Sequence, residues 1–296
     1  GTDRDAVPDI GADEVPVAFE STICENTSAG GDCANLDYTY LAEWEDAVET
    51  DLTASTTRVF SGSITGTLSE NDTVWLYDSG LTTTKAYGTV VATTTDQILI
   101  DNIVGSSTNP LTASDGDIWR LDGSNYFTVS PSAGSGQPVD DGLGASPRAE
   151  AKIDGTWANP DSTRVPIDGW TTDNDNQIKI YTTDMSRHIG AWNNSKYRLV
   201  VSDQYSGVLW INEDSVQILG LQLQNTYSYN TGEVRGIFDT GQNAVHNIAY
   251  NILKGSETGT ASDNDVAIEI GGSRQELSGE LNLYNNIAYN WGSFVH

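Results

Sequence analysis

The sequence predicts an all-β protein: a parallel β-helix with an N-terminal capping α-helix and an inserted antiparallel β-barrel or β-sandwich module. Three observations favour this fold class. Gly, Ser, Thr, Asn and Asp are abundant and aromatic residues reach 9%, which is typical of β-proteins with many turns. Short apolar runs recur between Asn- and Gly-containing segments. Helical periodicity is clear in one stretch. An ordinary β-sandwich is the alternative.

Residues 1–20 contain Pro and Asp without periodicity and are predicted to be an extended N-terminal segment. The chain opens with Gly-Thr-Asp-Arg-Asp. A secretory signal would begin with basic residues followed by apolar ones. The opening therefore indicates a mature or internal start.

Residues 21–58 are predicted to hold a disulfide loop, the capping helix and the first coil. Cys24 and Cys33 flank a polar, Gly-containing stretch whose ends can meet. A disulfide there implies an oxidising, extracellular location; two free thiols are the alternative. Zinc is disfavoured because the three histidines lie at no ligand spacing. These histidines are His188, His246 and His296.

A helix is predicted over residues 39–52, with Thr39 as its N-cap and acidic residues after it. Its apolar face consists of Leu41, Trp44, Ala47 and Val48. A single short amphipathic helix needs another apolar surface to pack on. We therefore expect it to cover the first coil of the β-helix.

Residues 59–130 are predicted to form an inserted small β-barrel. Strand-like runs follow one another at roughly ten-residue spacing with Gly, Ser, Thr and Asp turns between them, which indicates antiparallel pairing in a barrel or sandwich. The runs are 73–77, 87–91, 97–100 and 117–121. Residues 131–148, rich in Gly, Pro and Ser, are predicted to be the linker that returns from this insertion.

Residues 149–296 are predicted to form the parallel β-helix coils. The segment Asn247–Asn251 recurs letter for letter as Asn286–Asn290. Three further triplets align at spacings of 29 to 30 residues, namely 207–209, 236–238 and 266–268. Short strands that repeat in this way are typical of a solenoid. Asn at the corners can adopt left-handed geometry, and stacked amides can bond from coil to coil.

Several segments together resemble right-handed parallel β-helix repeat proteins of the pectate-lyase-like superfamily, of the secreted or viral-particle type. They are 38–45, 167–172, 178–181, 187–190, 196–199 and the two Asn-Ile-Ala-Tyr-Asn segments. The resemblance covers roughly 36–58 and 150–296, and it implies a right-handed β-helix. It leaves the activity open, because this class includes enzymes, tailspikes, adhesins and filaments.

The two ends of the chain suggest assembly. Pro8–Glu14 resembles the segment that usually closes such β-helix proteins, although it comes first here. The sequence stops at residues 291–296, directly after a coil. An uncovered coil offers unpaired backbone groups to another chain. The predicted partners are copies of this chain, or a continuing chain, packed against the last coil.

Charge excludes several function classes. Fourteen Lys and Arg against 42 Asp and Glu give a net charge of −28. Such a protein repels nucleic acid and anionic lipid, and no apolar run approaches 18 residues. The sequence therefore predicts neither nucleic-acid binding nor membrane insertion.

Evidence for catalysis is sparse. A lyase needs a base and cations that neutralise a substrate carboxylate. Residues 187, 188, 196 and 198 could form a basic cluster, although a salt-bridged turn is the favoured interpretation. A glycoside hydrolase would need paired carboxylates, for which Asp239, Asp265 and Glu269 are the candidates. No Gly-x-Ser-x-Gly motif is present.

No cofactor is required by this sequence, but calcium is possible. Acidic and amide residues alternate at 173–176 and 263–265, as they do in calcium loops. The candidate ligands are Asp173, Asp175, Asp263 and Asp265. A solvated turn is the favoured alternative at both places. Four aromatic residues are candidates for stacking on sugar rings: Trp170, Trp192, Tyr227 and Tyr229.

We therefore expect an extracellular, non-enzymatic structural or adhesive protein that assembles end to end into a fibre, filament or surface appendage of a cell or virion. The alternatives are a polysaccharide lyase or glycoside hydrolase, and a glycan-binding module that partners a polysaccharide.

Overall fold

The computed structural model is mostly β: of the residues that it describes, 48% are in strands and 5% are helical. It describes residues 17–25, 30–31, 33–105, 113–130, 147–227, 233–241, 245–256, 265–271 and 279–296. The segment Pro8–Glu14, most of the predicted linker and the candidates Tyr229 and Asp263 lie outside the described residues.

The chain begins with strand β1 (Val17–Ile23), a 3₁₀ turn at Cys33–Asn35 and helix α1 (Leu41–Val48). The predicted disulfide is confirmed: Cys24 and Cys33 are bonded. It ties the end of β1 to the turn that leads into the helix.

Helix α1 is shorter than the predicted 39–52, and Tyr40 is its N-cap instead of Thr39. Glu43 explains the start, because its carboxylate accepts from the backbone N–H groups of both Thr39 and Tyr40. The helix ends early because the N–H of Leu52 donates to the carbonyl of Thr171 in a neighbouring turn. The backbone is thus used for tertiary pairing where the sequence pattern predicted helix.

The insertion is a closed barrel and not a sandwich, with strand order β2-β5-β4-β3-β6-β7. Its antiparallel strands are β2 (Arg58–Thr65), β3 (Thr73–Tyr77), β4 (Thr84–Thr93), β5 (Gln97–Gly105), β6 (Ile118–Arg120) and β7 (Tyr126–Val129). Trp119 and Phe127 fill its core. Gly62 allows β2 to approach β7, since a Cβ there would lie 1.9 Å from the carbonyl oxygen of Thr128. Gln97 joins the barrel to β1 through two hydrogen bonds with its backbone.

Fourteen short strands follow the barrel. They are β8 (Pro147–Ile153), β9 (Val165–Ile167), β10 (Ile178–Thr182), β11 (Leu199–Val201), β12 (Leu209–Ile211), β13 (Val216–Leu219), β14 (Gln222–Asn225), β15 (Val234–Asp239), β16 (Val245–Ala249), β17 (Ile252–Lys254), β18 (Asp265–Ile270), β19 (Glu280–Tyr284), β20 (Ile287–Tyr289) and β21 (Ser293–Val295).

These strands and β1 form three parallel sheets. The first has the order β1-β8-β10-β13-β16-β19, the second β11-β14-β17-β20 and the third β9-β12-β15-β18-β21. From β11 onward the chain visits the second, third and first sheets in a fixed cycle. We call one strand from each sheet a rung, and β19, β20 and β21 the final rung. Inward-facing side chains of the three sheets meet in one apolar cluster.

Columns of identical or similar residues run through this cluster. Ile218, Ile248 and Leu283 occupy equivalent positions in the first sheet, and Leu199, Leu223 and Leu253 do so in the second. The alternation of inward and outward side chains explains the short apolar runs of the sequence.

Two repeat alignments from the sequence are corrected by the register. Asn247–Asn251 begins in β16 of the first sheet, whereas its copy Asn286–Asn290 contains β20 of the second sheet. In the third sheet Leu209 pairs with Ile237 and not with Phe238. A shift of one residue moves a side chain to the other face of a sheet. Phe238 therefore faces outward while Ile237 enters the core.

Asparagine side chains stack at the corner between the first and second sheets. Asn251 is fully buried, and its Oδ1 accepts from the backbone N–H of Leu221. Its Nδ2 donates to the carbonyl of Ile218 and to Oδ1 of Asn286 on the next rung. These amides satisfy backbone groups that the turn leaves without partners in the sheets.

Candidate functional site

The final rung is the least covered part of the apolar core. Its three strands are the outermost of their sheets in the described chain. Ile218 and Ile248 are fully buried, while Leu283 below them is partly exposed. In the third sheet the column that contains Ile237 ends at Val295, which is 39% exposed. Within the described residues, the inward-facing positions of the final rung are thus less covered than those of the rungs before it.

The opposite end is covered by helix α1. Leu41, Trp44 and Val48 are fully buried there, and the rings of Trp44 and Trp170 lie 5.6 Å apart. The N–H of Leu41 donates to Oδ2 of Asp161, a residue that also bridges to β11. The apolar face of the helix is therefore buried in the apolar cluster of the three sheets.

The final rung is also nearly free of charge. Residues 279–296 contain Glu280 as their acidic residue and no Lys or Arg, in a chain whose net charge is −28. Two buried polar atoms in this rung, Nε1 of Trp291 and Oγ of Ser293, have no hydrogen-bond partner within the described residues. Apolar exposure, open strand edges and low charge together describe a surface suited to contact another chain.

A second candidate site is a carboxylate cluster where α1 meets the turns after β9 and β12. The backbone N–H of Trp170 donates to Oε1 of Glu213 at 2.9 Å, and its indole N–H donates to Oε1 of Glu45 at 3.2 Å. Glu45 also accepts from the N–H of Asp168. Both glutamates are buried.

Burial raises the pKa of Glu45 to about 7, against the hydrogen bonds from Asp168 and Trp170 that lower it. Burial likewise raises the pKa of Glu213 to about 7, with Asp168 and Asp214 adding to the effect. A carboxyl group with a pKa near neutrality can serve as a general acid. Here both groups are turned toward Trp170, so the geometry supports a structural junction.

The predicted catalytic carboxylates do not converge. Asp239 faces the interior and lies 2.6 Å from Nδ1 of His246, while Nε2 of His246 faces the carbonyl oxygen of Glu213 at 2.9 Å. Burial alone would lower the pKa of His246, but the hydrogen bond and charge of Asp239 outweigh it and raise that pKa. Because both ring nitrogens face oxygen acceptors, neither is free to act as a base toward a nucleophile.

Glu269 and Asp265 lie elsewhere on the third sheet. Glu269 faces outward and forms an ion pair with Arg235, with Nε 2.5 Å from Oε2. Asp265 pairs in register with Val234, whereas Asp239 pairs with Ile270 at the other end of the strands. A rise of about 3.3 Å per residue places Asp265 and Asp239 roughly 16 Å apart. This exceeds the spacing of about 5–9.5 Å used by glycosidase carboxylate pairs.

The calcium candidates either stabilise local structure or lie apart from one another. Oδ1 of Asp173 accepts from the backbone N–H groups of Asp175 and Asn176, which closes the turn before β10. Within the described ranges no group of three or more His, Cys, Asp or Glu side chains is arranged to hold a metal ion. Calcium binding stays a prediction for residues that include Asp263.

The glycan candidates are in different environments. Trp170 is 5% exposed and offers no ring face to a sugar. Trp192 is partly exposed, with Nζ of Lys254 5.1 Å from its ring centre. Tyr227 is partly exposed and donates from its hydroxyl to Oε1 of Gln204. Sugar stacking is thus open to Trp192 and Tyr227.

In the described residues, the cations of the predicted basic cluster contact backbone carbonyl oxygens. Arg187 donates to the carbonyl of Thr182, Lys196 to that of Met185 and Arg198 to that of Ala158. These hydrogen bonds to backbone carbonyl oxygens order the loop between β10 and β11.

Glu45 and Glu213 were not among the site residues predicted from the sequence. A signal existed for Glu45, because it lies four residues after Leu41 and therefore on the apolar face of the helix. An acidic residue at that position predicts a buried, hydrogen-bonded carboxyl group. Glu213 carried no such signal, since its partner Trp170 is 43 residues away.

No helix within the described residues has the length and apolar character needed to cross a membrane. Comparison with family models, with curated proteins and with solved structures finds no match to this chain.

Proposed function

We propose that this chain is an extracellular, non-enzymatic structural or adhesive protein, and that its three sheets form the walls of a right-handed parallel β-helix. The fixed cycle through the three sheets and the shared apolar interior support this winding. The disulfide supports an oxidising, extracellular environment.

The proposal rests on the final rung, which we take to be the surface through which the protein assembles end to end. Open edges of β19, β20 and β21 offer backbone N–H and C=O groups that another set of strands can pair with. The partly exposed Leu283 and Val295 would become buried in such a contact, as their counterparts one rung back already are.

The occupant of this surface is a second copy of the chain. Two copies with a net charge of −28 each repel one another, and the final rung brings the fewest acidic groups together. The other end is less suitable, because α1 covers it and presents Glu43 and Asp46 to solvent. Contact between two final rungs joins the same surface of both copies and closes as a dimer. A filament or appendage built from this dimer would need a second interface outside the final rung.

Sedimentation velocity of the chain 1–296 over a wide concentration range tests the proposal. We expect a monomer–dimer equilibrium that shifts toward the dimer as salt is added, since salt screens the repulsion. Ile287→Glu places a charge on the final rung and should keep the protein monomeric. Met185→Glu is the matched control, because Met185 and Ile287 are both 41% exposed and Met185 lies away from the final rung.

A protein that stays monomeric at every concentration and salt level would overturn the proposal, as would a dimer that survives Ile287→Glu. The non-enzymatic part has its own test: release of unsaturated or reducing sugar ends from a polysaccharide panel, with or without calcium, would contradict it.

A further inference from the structure

The loop between β10 and β11 lies across the corner that joins the first and second sheets. Nε2 of His188 donates to the carbonyl of Tyr250 at 2.7 Å, and Nδ1 of His188 accepts from the N–H of Gly190. The N–H of Asn193 donates to Oε1 of Gln222 at 2.6 Å. These bonds fix the loop against two successive rungs.

Exposed or partly exposed apolar and aromatic side chains lie on this loop and on the corner that it crosses. Ile189, next to His188, is 91% exposed, and Tyr250 is 48% exposed. The ring of Tyr284 on the final rung meets that of Tyr250 edge to face, with centres 5.6 Å apart. Trp192 lies in the same loop, under Lys254. We call Ile189, Trp192, Tyr250 and Tyr284 the aromatic corner.

The backbone of Tyr250 is unfavourable for a residue of its size. The last residues of three neighbouring strands pair in register: Leu219, Ala249 and Tyr284. The residues that directly follow them therefore occupy equivalent positions, namely Gly220, Tyr250 and Asn285. All three have left-handed backbones, with φ of 81°, 58° and 54°. Gly and Asn suit this conformation, whereas a bulky side chain is strained in it. A strained residue that exposes an aromatic ring indicates a functional requirement for that ring.

The charges around the aromatic corner favour an uncharged ligand. Arg187 donates to the carbonyl oxygen of Thr182 at the end of β10, and Lys196 donates to that of Met185 in its own loop. Lys254 lies over the ring of Trp192. The molecule as a whole carries a charge of −28 and repels polyanions and acidic proteins. A ligand recognised here would be held mainly by contact with aromatic and aliphatic surfaces.

We propose that the aromatic corner binds a neutral polysaccharide, whose sugar rings stack on Tyr250 and Trp192. This site adjoins the assembly surface, because Tyr284 belongs to both the aromatic corner and the final rung. A sugar chain fits better than a protein partner, because four side chains cover far less than the ~800 Å² per partner of a stable protein interface. Aromatic side chains supply a large contact area with little loss of conformational freedom.

Native affinity electrophoresis provides the test, with hydroxyethyl cellulose, xyloglucan, galactomannan and dextran as neutral probes and carboxymethyl cellulose as the charged comparison. We expect at least one neutral probe to retard the protein. Tyr250→Gly places glycine where Gly220 stands one rung earlier, so it removes the ring without disturbing the corner. It should weaken binding about tenfold, the loss of one stacked ring, while the melting temperature stays the same or rises.

Three variants complete the experiment. Tyr250→Phe keeps the ring and should bind as the parent does. Tyr250→Asn uses the residue found at Asn285 and should repeat the loss seen with glycine. Tyr205→Ala removes an exposed tyrosine from the loop before β12 and should leave binding unchanged.

The proposal is overturned if no neutral probe retards the protein, if carboxymethyl cellulose binds better than all neutral probes, or if Tyr250→Gly binds as the parent does. It is also overturned if Tyr250→Gly changes the oligomeric state in sedimentation, because the corner would then be a protein interface.

Discussion

The indole N–H of Trp170 donates to Oε1 of Glu45 across 3.2 Å, and this bond joins helix α1 to the turn after β9. It holds the covering helix on the first rungs through a carboxyl group that is nearly inaccessible to water. Glu213 bonds the backbone N–H of the same tryptophan. Attachment of the helix is thus coupled to the protonation of two glutamates.

We expect stability to fall as pH rises from about 4.5 to 7. Burial raises the pKa of Glu45 and of Glu213 to about 7, so the folded state holds more protons than the unfolded state in this range. The stabilising contribution is complete below the unfolded pKa and is lost as pH passes the folded value. Glu45→Gln resembles the protonated group and should be more stable than the parent at pH 8, by on the order of 2 kcal/mol.

Urea unfolding at pH 5 and pH 8 measures this difference. Burial also raises the pKa of Asp37, to about 6. Asp37 therefore makes the free energy of unfolding fall with pH in both proteins, and its effect cancels when they are compared. Equal pH slopes for the parent and Glu45→Gln would show that Glu45 is ionised in the fold without penalty.

The disulfide should stabilise the N-terminal end of the sheets. Cys24 and Cys33 are nine residues apart, and closing a loop of this size stabilises by about 2–3 kcal/mol. The double replacement Cys24→Ser and Cys33→Ser should lower the free energy of unfolding by that amount. Reducing agent added to the parent is the matched control and should give the same loss. A Ser variant as stable as the oxidised parent would contradict the expectation.

Side chains in the inward-facing column of the first sheet become less buried toward the final rung, so truncating them should cost progressively less unfolding free energy. Ile248 is fully buried, and truncation to Ala should cost about 2–5 kcal/mol. Leu283 is the next residue of the same column and is partly exposed, so Leu283→Ala should cost less than half as much in dilute, monomeric protein. Denaturant unfolding of the two variants tests this, and equal costs would mean that the final rung is covered in solution.

The buried amide of Asn251 should matter more than that of Asn286. Asn251→Ala removes the acceptor for the N–H of Leu221, and the unpaired buried group should cost about 2–3 kcal/mol. Asn286 lies on the partly exposed final rung, where water can replace its bonds, so Asn286→Ala should cost less. Thermal melts of both variants show which one loses more stability. A larger loss for Asn286→Ala would show that the buried amide of Asn251 is not the more stabilising member of the stack.

Much of the architecture was present in the sequence as local pattern. Composition and short apolar runs predicted a β-protein, helical periodicity located α1, and the spacing of Cys24 and Cys33 indicated the disulfide. Turn-separated strands predicted the insertion that forms a closed barrel. Each of these features depends on residues close together in the chain, so a pattern of neighbouring side chains is enough to reveal it.

The tertiary structure alone decided the register of the sheets and the environment of each site residue. Identical segments at 247–251 and 286–290 lie in different sheets, and Phe238 rather than Ile237 faces outward. Glu45, Trp170 and Glu213 meet although more than 40 residues separate one from the next along the chain. Strands of three to seven residues carry too little local information to specify their partners, because pairing depends on how the intervening corners turn. Which polar groups are buried follows from that pairing.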